Sequence, residues 1–300
     1  MGSPKERFVS GFVSILGRPN VGKSTLLNTL LGAKLAIVSN KPQTTRTSIQ
    51  GVLHLERAQI VFLDTPGIHQ PDTPINQRMM REVAAAMEGR DLLLFVHDAT
   101  TAFGERDERA LALLGGVTTP ALLLLNKIDR VRDKSQLLPL IARLEATGRF
   151  EEFLPVSALT GDGLDRLRDA IVARLPEGPR YFPDDYLTDQ PERFFVAEMI
   201  REKILHATRE EVPHSVMVEI EEWQEEGRLL RVGAAVCVER RGQKAILIGR
   251  GGAMLKQVGT AARRELETLL SRRIYLQLFV KVREKWRQDP ASLAAIDWRR

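Results

Sequence analysis

One stretch near the N-terminus constrains the fold of this chain more than any other. The pattern G-x-x-x-x-G-K-S is matched by Gly17, Arg18, Pro19, Asn20, Val21, Gly22, Lys23 and Ser24, with Thr25 next. The stretch lies between an apolar run and a helical pattern. Its glycines let backbone N–H groups approach phosphate oxygens, Lys23 supplies a positive charge, and the Ser24 hydroxyl is a hard ligand for Mg²⁺. The motif therefore predicts a strand, a phosphate-binding loop and a helix.

Short apolar runs alternate with amphipathic helical patterns through the first half of the chain. The runs predicted as strands are 8–16, 59–63, 91–97, 121–125 and 153–155. The predicted helices are 23–31, 74–88, 106–115, 135–147 and 164–175. This alternation predicts a mostly parallel sheet with helices on both faces, and such sheets bind ligands at the carboxyl ends of their strands.

The composition is that of a globular protein with one strongly basic segment. No stretch of the 300 residues approaches the roughly 18 consecutive apolar residues of a membrane-spanning helix, and the N-terminus lacks an apolar signal region, so we expect a cytoplasmic protein. The single cysteine, Cys237, excludes an internal disulfide and lies in an apolar run that predicts burial. Residues 240–288 hold 13 Lys and Arg against 3 Asp and Glu, which indicates a polyanion site or a solvated basic helix.

Two more motifs follow predicted strands. The run 59–63 is followed by Asp64, Thr65, Pro66 and Gly67, and the run 121–125 by Asn126, Lys127, Ile128 and Asp129. Asp64 can hold Mg²⁺ directly or through water, and the Gly67 N–H can sense a terminal phosphate. Guanine presents two adjacent donors that one carboxylate can accept, whereas adenine does not, so Asp129 is expected to select GTP over ATP. Asn126 can meet the opposite edge of the base and the Lys127 stem can cover its plane.

The order of these elements, completed by Ser157-Ala158 beside the guanine carbonyl, resembles the translation-factor class of Ras-like GTPases. In that class a threonine between the first helix and the second strand closes over Mg²⁺, and the resemblance assigns this role to Thr44 or Thr45. The predicted metal ligands are thus Ser24, Asp64 and one of these threonines.

Ile68 occupies the position at which Ras-like enzymes carry a glutamine that orients the attacking water. Its side chain forms no hydrogen bond, so intrinsic turnover is expected to be slow. Some members of this subgroup use a monovalent cation, and we hypothesise that Asn20 helps to bind K⁺, with a plain turn asparagine as the alternative. The residues predicted to act in hydrolysis are Asn20, Lys23, Thr44, Thr45, Asp64 and Gly67.

The C-terminal third has a different pattern. A proline-rich segment, 176–191, predicts a linker. The elements predicted after it are a helix (194–207), two strands (215–222 and 229–239), a short strand-like run (244–248), a helix (253–270) and a strand (274–282).

A glycine-rich turn precedes the basic helix of this region. Ile248, Gly249, Arg250, Gly251 and Gly252, followed by Lys256, Arg263 and Arg264, resemble the G-x-x-G loop and helix of a KH domain, whose groove takes about four single-stranded nucleotides. The resemblance makes the run 244–248 a short helix rather than a strand.

Taken together, these motifs resemble the Era family of bacterial GTPases over about 8–289. The resemblance implies an α/β Ras-like P-loop domain (1–178), a linker (179–192), an α+β type II KH domain (193–288) and a tail (289–300). It also implies binding to the 3′ end of small-subunit rRNA, a role in maturation of the 30S subunit, and peripheral contact with the inner membrane.

We therefore expect a monomeric GTPase that acts as a GTP-controlled RNA-binding switch, with RNA affinity and nucleotide state reciprocally coupled. Three alternatives remain open: a GTPase acting in RNA modification or processing, a module that holds GTP without useful turnover, and a regulator whose basic face, within 240–288, lies on anionic lipid.

Overall fold

The computed structural model describes residues 7–209 and 212–296. The N-terminal residues 1–6, in which no signal region is predicted, and residues 297–300 of the predicted tail lie outside the described residues, as do 210–211. The density of contacts divides the chain into two units. One contains Met1–Ala36, Thr45–Asp72 and Asn76–Asp189, and the other contains Ile37–Thr44, Thr73–Ile75 and Gln190–Arg300.

The first unit is built on a six-stranded sheet with the order β2-β3-β1-β4-β5-β6. Its strands are β1 (Val9–Gly17), β2 (Ile49–His54), β3 (Ala58–Asp64), β4 (Leu92–Asp98), β5 (Ala121–Asn126) and β6 (Glu152–Pro155). All neighbours in this sheet pair in parallel except β2, which is antiparallel to β3. The mostly parallel Ras-like sheet predicted from the alternating pattern is confirmed.

Helices cover both faces of this sheet. They are α1 (Lys23–Leu31), α2 (Pro74–Met87), α3 (Glu105–Ala112), α4 (Leu138–Glu145) and α5 (Leu164–Val172). Alternate residues of β4 enter two separate apolar clusters, Leu94 with α1 and α5 on one face and Phe95 with α3 and α4 on the other. Because both faces are buried, β4 and β5 are apolar without the usual alternation.

The strand β2 was not predicted from the sequence. Its residues Gln50 and Gly51 interrupt the apolar pattern, which weakens the strand signal. Gly51 has a packing reason: a Cβ at this position would lie 2.5 Å from Leu31 Cδ1 of α1. The glycine thus permits close approach of α1 to β2.

The proline-rich segment predicted as a linker is hydrogen-bonded to the first unit. Ser10 Oγ donates to the Pro179 carbonyl at 2.7 Å, and the buried Gln59 side chain bonds the backbone of both Tyr181 and Phe182. The Leu187 carbonyl accepts from the Val52 N–H at 2.9 Å. Contact density accordingly groups this segment, up to Asp189, with the sheet, while the residue-level domain bounds from the sequence stay a prediction.

The second unit holds a three-stranded sheet, β7 (Met217–Glu226), β8 (Leu229–Val238) and β9 (Arg273–Val282), in which β8 and β9 are parallel. Its helices are α6 (Glu192–Ala207), α7 (Val212–Ser215), α8 (Arg241–Ile248), α9 (Ala253–Leu269) and α10 (Pro290–Ala295). The run 244–248 lies in α8, so the helical interpretation is confirmed. Cys237 is fully buried, and burial together with Glu219 raises the pKa of its thiol to about 11.

None of the helices in the described parts of the chain combines the length and the apolar character needed to cross a membrane.

Candidate functional site

The sequence motifs of the first unit meet at the carboxyl end of its sheet. The glycine-rich loop joins β1 to α1, with Thr25 in the first turn of the helix. Gly17 has a φ of 145°, and a Cβ there would lie 2.4 Å from the Val96 carbonyl oxygen. Gly22 has a φ of 100°, and a Cβ would lie 2.3 Å from Asn126 Nδ2. Neither position can accept a side chain without displacing its neighbour, which explains both glycines of the motif.

Lys23 is buried at the base of this loop. Its Nζ donates to the carbonyls of Gly17 (3.2 Å) and Arg18 (2.9 Å). Burial lowers its pKa to about 8, although Asp64 acts in the opposite direction. A buried ammonium group bonded only to carbonyls is further stabilised when an anion binds next to it, because a nearby negative charge favours the charged form.

Ser24, Thr45 and Asp64 form a cluster of oxygen atoms beside Lys23. Ser24 Oγ donates to Asp64 Oδ2 at 2.6 Å and lies 2.9 Å from Thr45 Oγ1, which lies 3.4 Å from the same carboxylate oxygen. Asp64 is fully buried, and its Oδ1 has no hydrogen-bond partner among the described residues. Burial raises the pKa of Asp64 to about 6, against the effects of Lys23, Ser24 and Thr45.

This cluster suits a hard divalent cation. Magnesium prefers oxygen ligands and retains waters or phosphate oxygens rather than a full cage of protein groups. The unpartnered Asp64 Oδ1 and the two adjacent hydroxyls meet that requirement. Within 7–209 and 212–296, no group of three or more His, Cys, Asp or Glu residues offers a competing metal site.

The two candidate threonines have different environments. Thr45 points its hydroxyl into the cluster, whereas Thr44 Oγ1 donates to the Lys41 carbonyl at 2.6 Å within its own loop. The structure therefore brings Thr45, and not Thr44, to Ser24 and Asp64.

The segment after β3 is fixed against the glycine-rich loop. The Ile68 N–H donates to the Gly17 carbonyl at 3.2 Å, and Thr65 Oγ1 donates to the Ile15 carbonyl at 2.7 Å. A Cβ at Gly67 would lie 2.8 Å from Pro19 Cα, so only glycine allows this approach. Pro66 and Gly67 are buried, while the Ile68 side chain packs against the apolar cluster that contains Phe95.

The segment after β5 connects distant parts of the site. Asn126 Nδ2 donates to the Val21 carbonyl at 2.7 Å, and its Oδ1 accepts from the Ala158 N–H at 2.9 Å. Both ends of this amide therefore bond backbone groups, so Asn126 joins the glycine-rich loop to the segment after β6. This is a different contact from the base edge expected from the sequence.

Lys127 and Asp129 flank the buried Ile128. Lys127 Nζ bonds the Asn20 carbonyl (2.7 Å) and Asp98 Oδ2 (2.6 Å), which holds its amino group beside the loop. Ser157 Oγ donates to Asp129 Oδ1 at 2.6 Å. The exposed Asp129 carboxylate is thus oriented through one oxygen.

Sequence reasoning missed the supporting role of Asp98 and Asp107. Asp98 ends β4 and pairs with Lys127, whose hydrogen bond, together with those of Thr100, lowers the pKa of Asp98 against the effect of burial. Asp107 lies 2.7 Å from Arg18 Nε and 3.0 Å from His97 Nδ1. Asp98 could have been found from its position at a strand end, but nothing in the sequence pairs Asp107 with Arg18.

In the second unit, the predicted G-x-x-G turn separates α8 from α9. Gly249 has a φ of 71°, and a Cβ there would lie 2.8 Å from Met254 Cβ. Gly251 (φ 59°) and Gly252 (φ 80°) also have left-handed backbones, but a Cβ at either would meet nothing within 4 Å. The turn therefore leaves open space around Gly251 and Gly252, immediately before the start of α9.

The predicted basic residues around this turn differ in whether their charge is exposed or paired with a carboxylate. Arg250, Lys256 and Arg264 are exposed, whereas Arg263 is paired with Glu267 at 3.1 Å. On α8 beside the turn, Ile246 is 54% exposed, an apolar surface that the sequence reasoning did not single out. Ile248 is partly buried in the apolar cluster of this unit.

Comparison with known proteins covers both units. A family model described as a 50S ribosome-binding GTPase matches residues 12–127, and a KH domain model matches residues 211–287. GTPase Era of Geobacter metallireducens is 48% identical over 97% of this chain and 98% of that protein. GTPase Era of Heliobacterium modesticaldum is 50% identical over 96% of each chain.

Two solved structures of Era proteins match the whole fold. One is a crystal structure of Era with MgGDPNP and nucleotides 1506–1542 of 16S ribosomal RNA, with a TM-score of 0.94, 40% identity, and coverage of 96% of this chain and 98% of that chain. The other is a single-residue variant of Aquifex aeolicus Era bound to GDP·AlF4⁻, with a TM-score of 0.92, 40% identity, and coverage of 96% and 99%. With this identity over nearly its full length, and with both the nucleotide-site motifs and the KH turn in place, the chain belongs to the Era family of GTPases.

Proposed function

We propose that this GTPase is a GTP-controlled switch that binds the single-stranded 3′ end of small-subunit rRNA through its KH domain and assists assembly of the 30S subunit. The observation that carries the proposal is that one chain holds both an ordered Ser24–Thr45–Asp64 cluster and an open G-x-x-G turn. The Era structure that contains both a GTP analogue and 16S rRNA supports the same pairing of ligands.

In the proposed mechanism, Lys23 and the backbone of the glycine-rich loop bind the phosphates of GTP. Lys23 is charged when anionic phosphates replace the carbonyls that it now contacts, because a nearby negative charge raises its pKa from the low value that burial imposes. Ser24, Thr45 and Asp64 are the proposed metal ligands, directly or through water. A Mg²⁺ held by these residues would supply positive charge next to the phosphate oxygens.

We propose that Asp129 selects guanine with the carboxylate oxygen that Ser157 leaves accessible, and that Asn126 holds the two loops around the base. A carboxylate left without a partner by adenine makes such discrimination large. Lys127 and the Ala158 N–H complete the proposed base site.

Turnover is proposed to be slow without an activating partner. Ile68 cannot orient water, and its backbone bond to Gly17 fixes the Gly67 N–H near the loop instead. Asn20 has a left-handed backbone (φ 64°) whose carbonyl is held by Lys127, and we propose this bend as part of a K⁺ site.

The RNA groove is proposed to comprise Gly249–Gly252 as the backbone-contacting turn, with exposed Arg250, Lys256 and Arg264 on its phosphates. Arg263 is assigned a smaller role because it is paired with Glu267. Ile246 offers an apolar surface for a base. Partners beyond RNA are proposed as the 30S subunit and a peripheral contact with the inner membrane.

Fluorescence anisotropy tests this proposal. A labelled strand copying the 3′ end of small-subunit rRNA is titrated with GDPNP-bound and GDP-bound protein at several salt concentrations. We expect tighter, sequence-dependent binding in the GDPNP state, with an affinity that falls as salt increases. Equal binding to a scrambled strand in both states would contradict the proposal. Salt-sensitive binding to anionic vesicles without RNA binding would support the membrane-surface alternative.

A further inference from the structure

Two successive carbonyl groups of the glycine-rich loop are held by side chains of the segment after β5. The Asn20 carbonyl accepts from Lys127 Nζ at 2.7 Å, and the Val21 carbonyl accepts from Asn126 Nδ2 at 2.7 Å. These residues all belong to the first unit, in which β4 pairs with both β1 and β5. One sheet therefore sets the distance between the loop and the side chains that hold it.

A held carbonyl fixes the direction of the N–H group in the same peptide. In a planar trans peptide, the carbonyl of one residue and the N–H of the next point in opposite directions, and no rotation inside the peptide separates them. The Asn20 carbonyl points to Lys127, so the Val21 N–H points away from it, and the Gly22 N–H likewise points away from Asn126. Within the described residues neither N–H donates to a protein acceptor, so both can bind phosphate oxygens.

The ammonium group of Lys127 is itself held by Asp98, whose Oδ2 accepts from Nζ at 2.6 Å. Asp98 ends β4 and is buried. Its other oxygen, Oδ1, accepts from the Thr100 N–H at 3.0 Å and from Thr100 Oγ1 at 2.6 Å. The turn after β4 thus occupies one carboxylate oxygen and leaves the other for Lys127. A lysine ammonium lies on a flexible stem, so this fixed partner confines it to one position.

We propose that Asp98 is a positioning residue for phosphate binding: through the Lys127 ammonium it holds the Asn20 carbonyl, and so it directs the Val21 N–H to the phosphates. This inference rests on the proposed role of the glycine-rich loop in binding the phosphates of GTP.

The sign of the effect distinguishes positioning from simple charge. A carboxylate near the nucleotide site repels phosphate, and it also neutralises the positive charge of Lys127. By charge alone, removal of the Asp98 charge would strengthen the binding of an anionic nucleotide. If Asp98 acts by positioning, the same change weakens binding, because the Val21 N–H is no longer held in the direction of the phosphates.

The test compares D98N with D133N. The exposed Asp133 forms the same kind of turn, since its Oδ1 accepts from the Ser135 N–H at 3.0 Å and from Ser135 Oγ at 2.7 Å, but it does not contact the loop. Calorimetric titration measures the affinity of each protein for GDP and for guanosine, which has no phosphate. We expect D98N to weaken GDP binding on the order of tenfold and guanosine binding clearly less, and D133N to change neither.

Two outcomes of this titration would overturn the inference. One is a D98N protein that binds GDP as tightly as wild type or more tightly, which is the result expected from charge alone. The other is an equal loss for GDP and guanosine, which would place the effect of Asp98 on the base rather than on the phosphates.

Amide proton signals of the loop, followed by NMR during GDP titration, identify the peptide that is affected. In wild type we expect the Val21 and Gly22 amide signals to move when GDP binds. In D98N we expect the Val21 response to shrink and the Gly22 response to remain, because Asn126 still holds the Val21 carbonyl. An unchanged Val21 response in D98N would overturn the inference. A Val21 signal that ignores GDP in wild type would instead contradict the proposed phosphate role of the loop.

The double variant D98N/K127A identifies the route of the effect. If Asp98 acts through Lys127, adding D98N to K127A weakens GDP binding no further, because the group that Asp98 positions is gone. Additive losses would overturn the inference.

If D98N proves unfolded by thermal melting, T100V decides the question. Thr100 is exposed, and the variant keeps the backbone N–H bond to Asp98 Oδ1 but removes the hydroxyl bond. We expect a folded protein with a smaller loss of GDP affinity and the same selective change at the Val21 amide. A folded T100V with wild-type values for both would overturn the inference.

Discussion

At the scale of single residues, Asp64 makes the stability of the nucleotide-free protein depend on pH. Its pKa is about 6 in the folded protein against an ordinary value of 3.8, because burial disfavours the charged carboxylate. The folded state therefore holds a proton that the unfolded state releases, and the resulting stabilisation, present below pH 4, is lost as pH rises through 6. Lys23, with a pKa of about 8, stays protonated over this range.

The variant D64N removes this titration. Without nucleotide and Mg²⁺, we expect the stability of wild type relative to D64N to fall by on the order of 2 kcal/mol between about pH 4 and pH 7. Thermal unfolding midpoints of both proteins at the two pH values provide the measurement. A constant difference between their midpoints would mean that Asp64 is ionised throughout.

The adjacent residues Thr44 and Thr45 provide a second residue-scale prediction. T45A removes a hydroxyl 2.9 Å from Ser24 Oγ, whereas T44A removes a hydroxyl that bonds the Lys41 carbonyl. We expect T45A to weaken Mg²⁺-dependent binding of GDPNP on the order of tenfold, with a clearly smaller change in T44A. A fluorescent GDPNP analogue titrated at fixed Mg²⁺ measures both, and equal losses would refute the assignment.

A third prediction concerns Asp129. In D129N one carboxylate oxygen becomes an NH₂ donor, which clashes with the guanine N2 amine but complements the O2 carbonyl of xanthine. We expect the preference to change from GTP to xanthosine triphosphate, with GTP affinity reduced at least about 100-fold. Competition of the two nucleotides for each protein is the measurement. D129N that still prefers GTP would place guanine recognition elsewhere.

At the scale of elements, the glycines of the G-x-x-G turn have different surroundings, so we expect substitutions at them to affect different properties of the protein. Gly249 is closed in by Met254, whereas Gly251 and Gly252 face open space. We expect G249A to lower the unfolding midpoint of the KH domain, because its left-handed backbone and its neighbour both resist a Cβ. The pair G251D/G252D has the same left-handed backbone but no close neighbour, and it should lower RNA affinity by more than about tenfold, by placing negative charge where a phosphate is proposed to bind.

Anisotropy and thermal unfolding on the same samples distinguish the two effects of this prediction. A G251D/G252D protein that melts normally and binds RNA normally would remove the turn from the RNA site.

The elements predicted well from sequence are those whose pattern is long or whose chemistry is specific. α1 begins and ends at the predicted residues, since the glycine-rich motif fixes its start and Gly32 its end. β2 was missed because its pairing with β3 compensates for a weak local pattern. The choice between Thr44 and Thr45 could not be made from sequence either, because both are threonines in one loop. Only the folded chain distinguishes them, by placing the Thr45 hydroxyl beside Ser24 and the Thr44 hydroxyl on the Lys41 carbonyl.

At the scale of the whole molecule, the two sheets differ in how far along the chain their last strand lies. The last strand of the sheet in the first unit is β6, Glu152–Pro155. The Ala158 N–H, which donates to Asn126 Oδ1, follows three residues later. The sheet of the second unit needs β9, Arg273–Val282, because the whole length of β8 pairs with it in parallel. A parallel pair also needs a crossover connection, which the segment with α8 and α9 provides here.

This difference has a consequence for synthesis of the protein. Domains fold as units while the chain emerges, N-terminal first. A nascent chain that has released residues up to 189 holds the nucleotide-site motifs, from Gly17 to Ala158, but none of the KH turn. At about 5–20 residues per second, the roughly 95 further residues up to the end of β9 take several seconds to translate. GTP binding is therefore expected to precede RNA binding in the life of each molecule, so a partly made chain cannot capture the ribosomal RNA of the particle that is synthesising it.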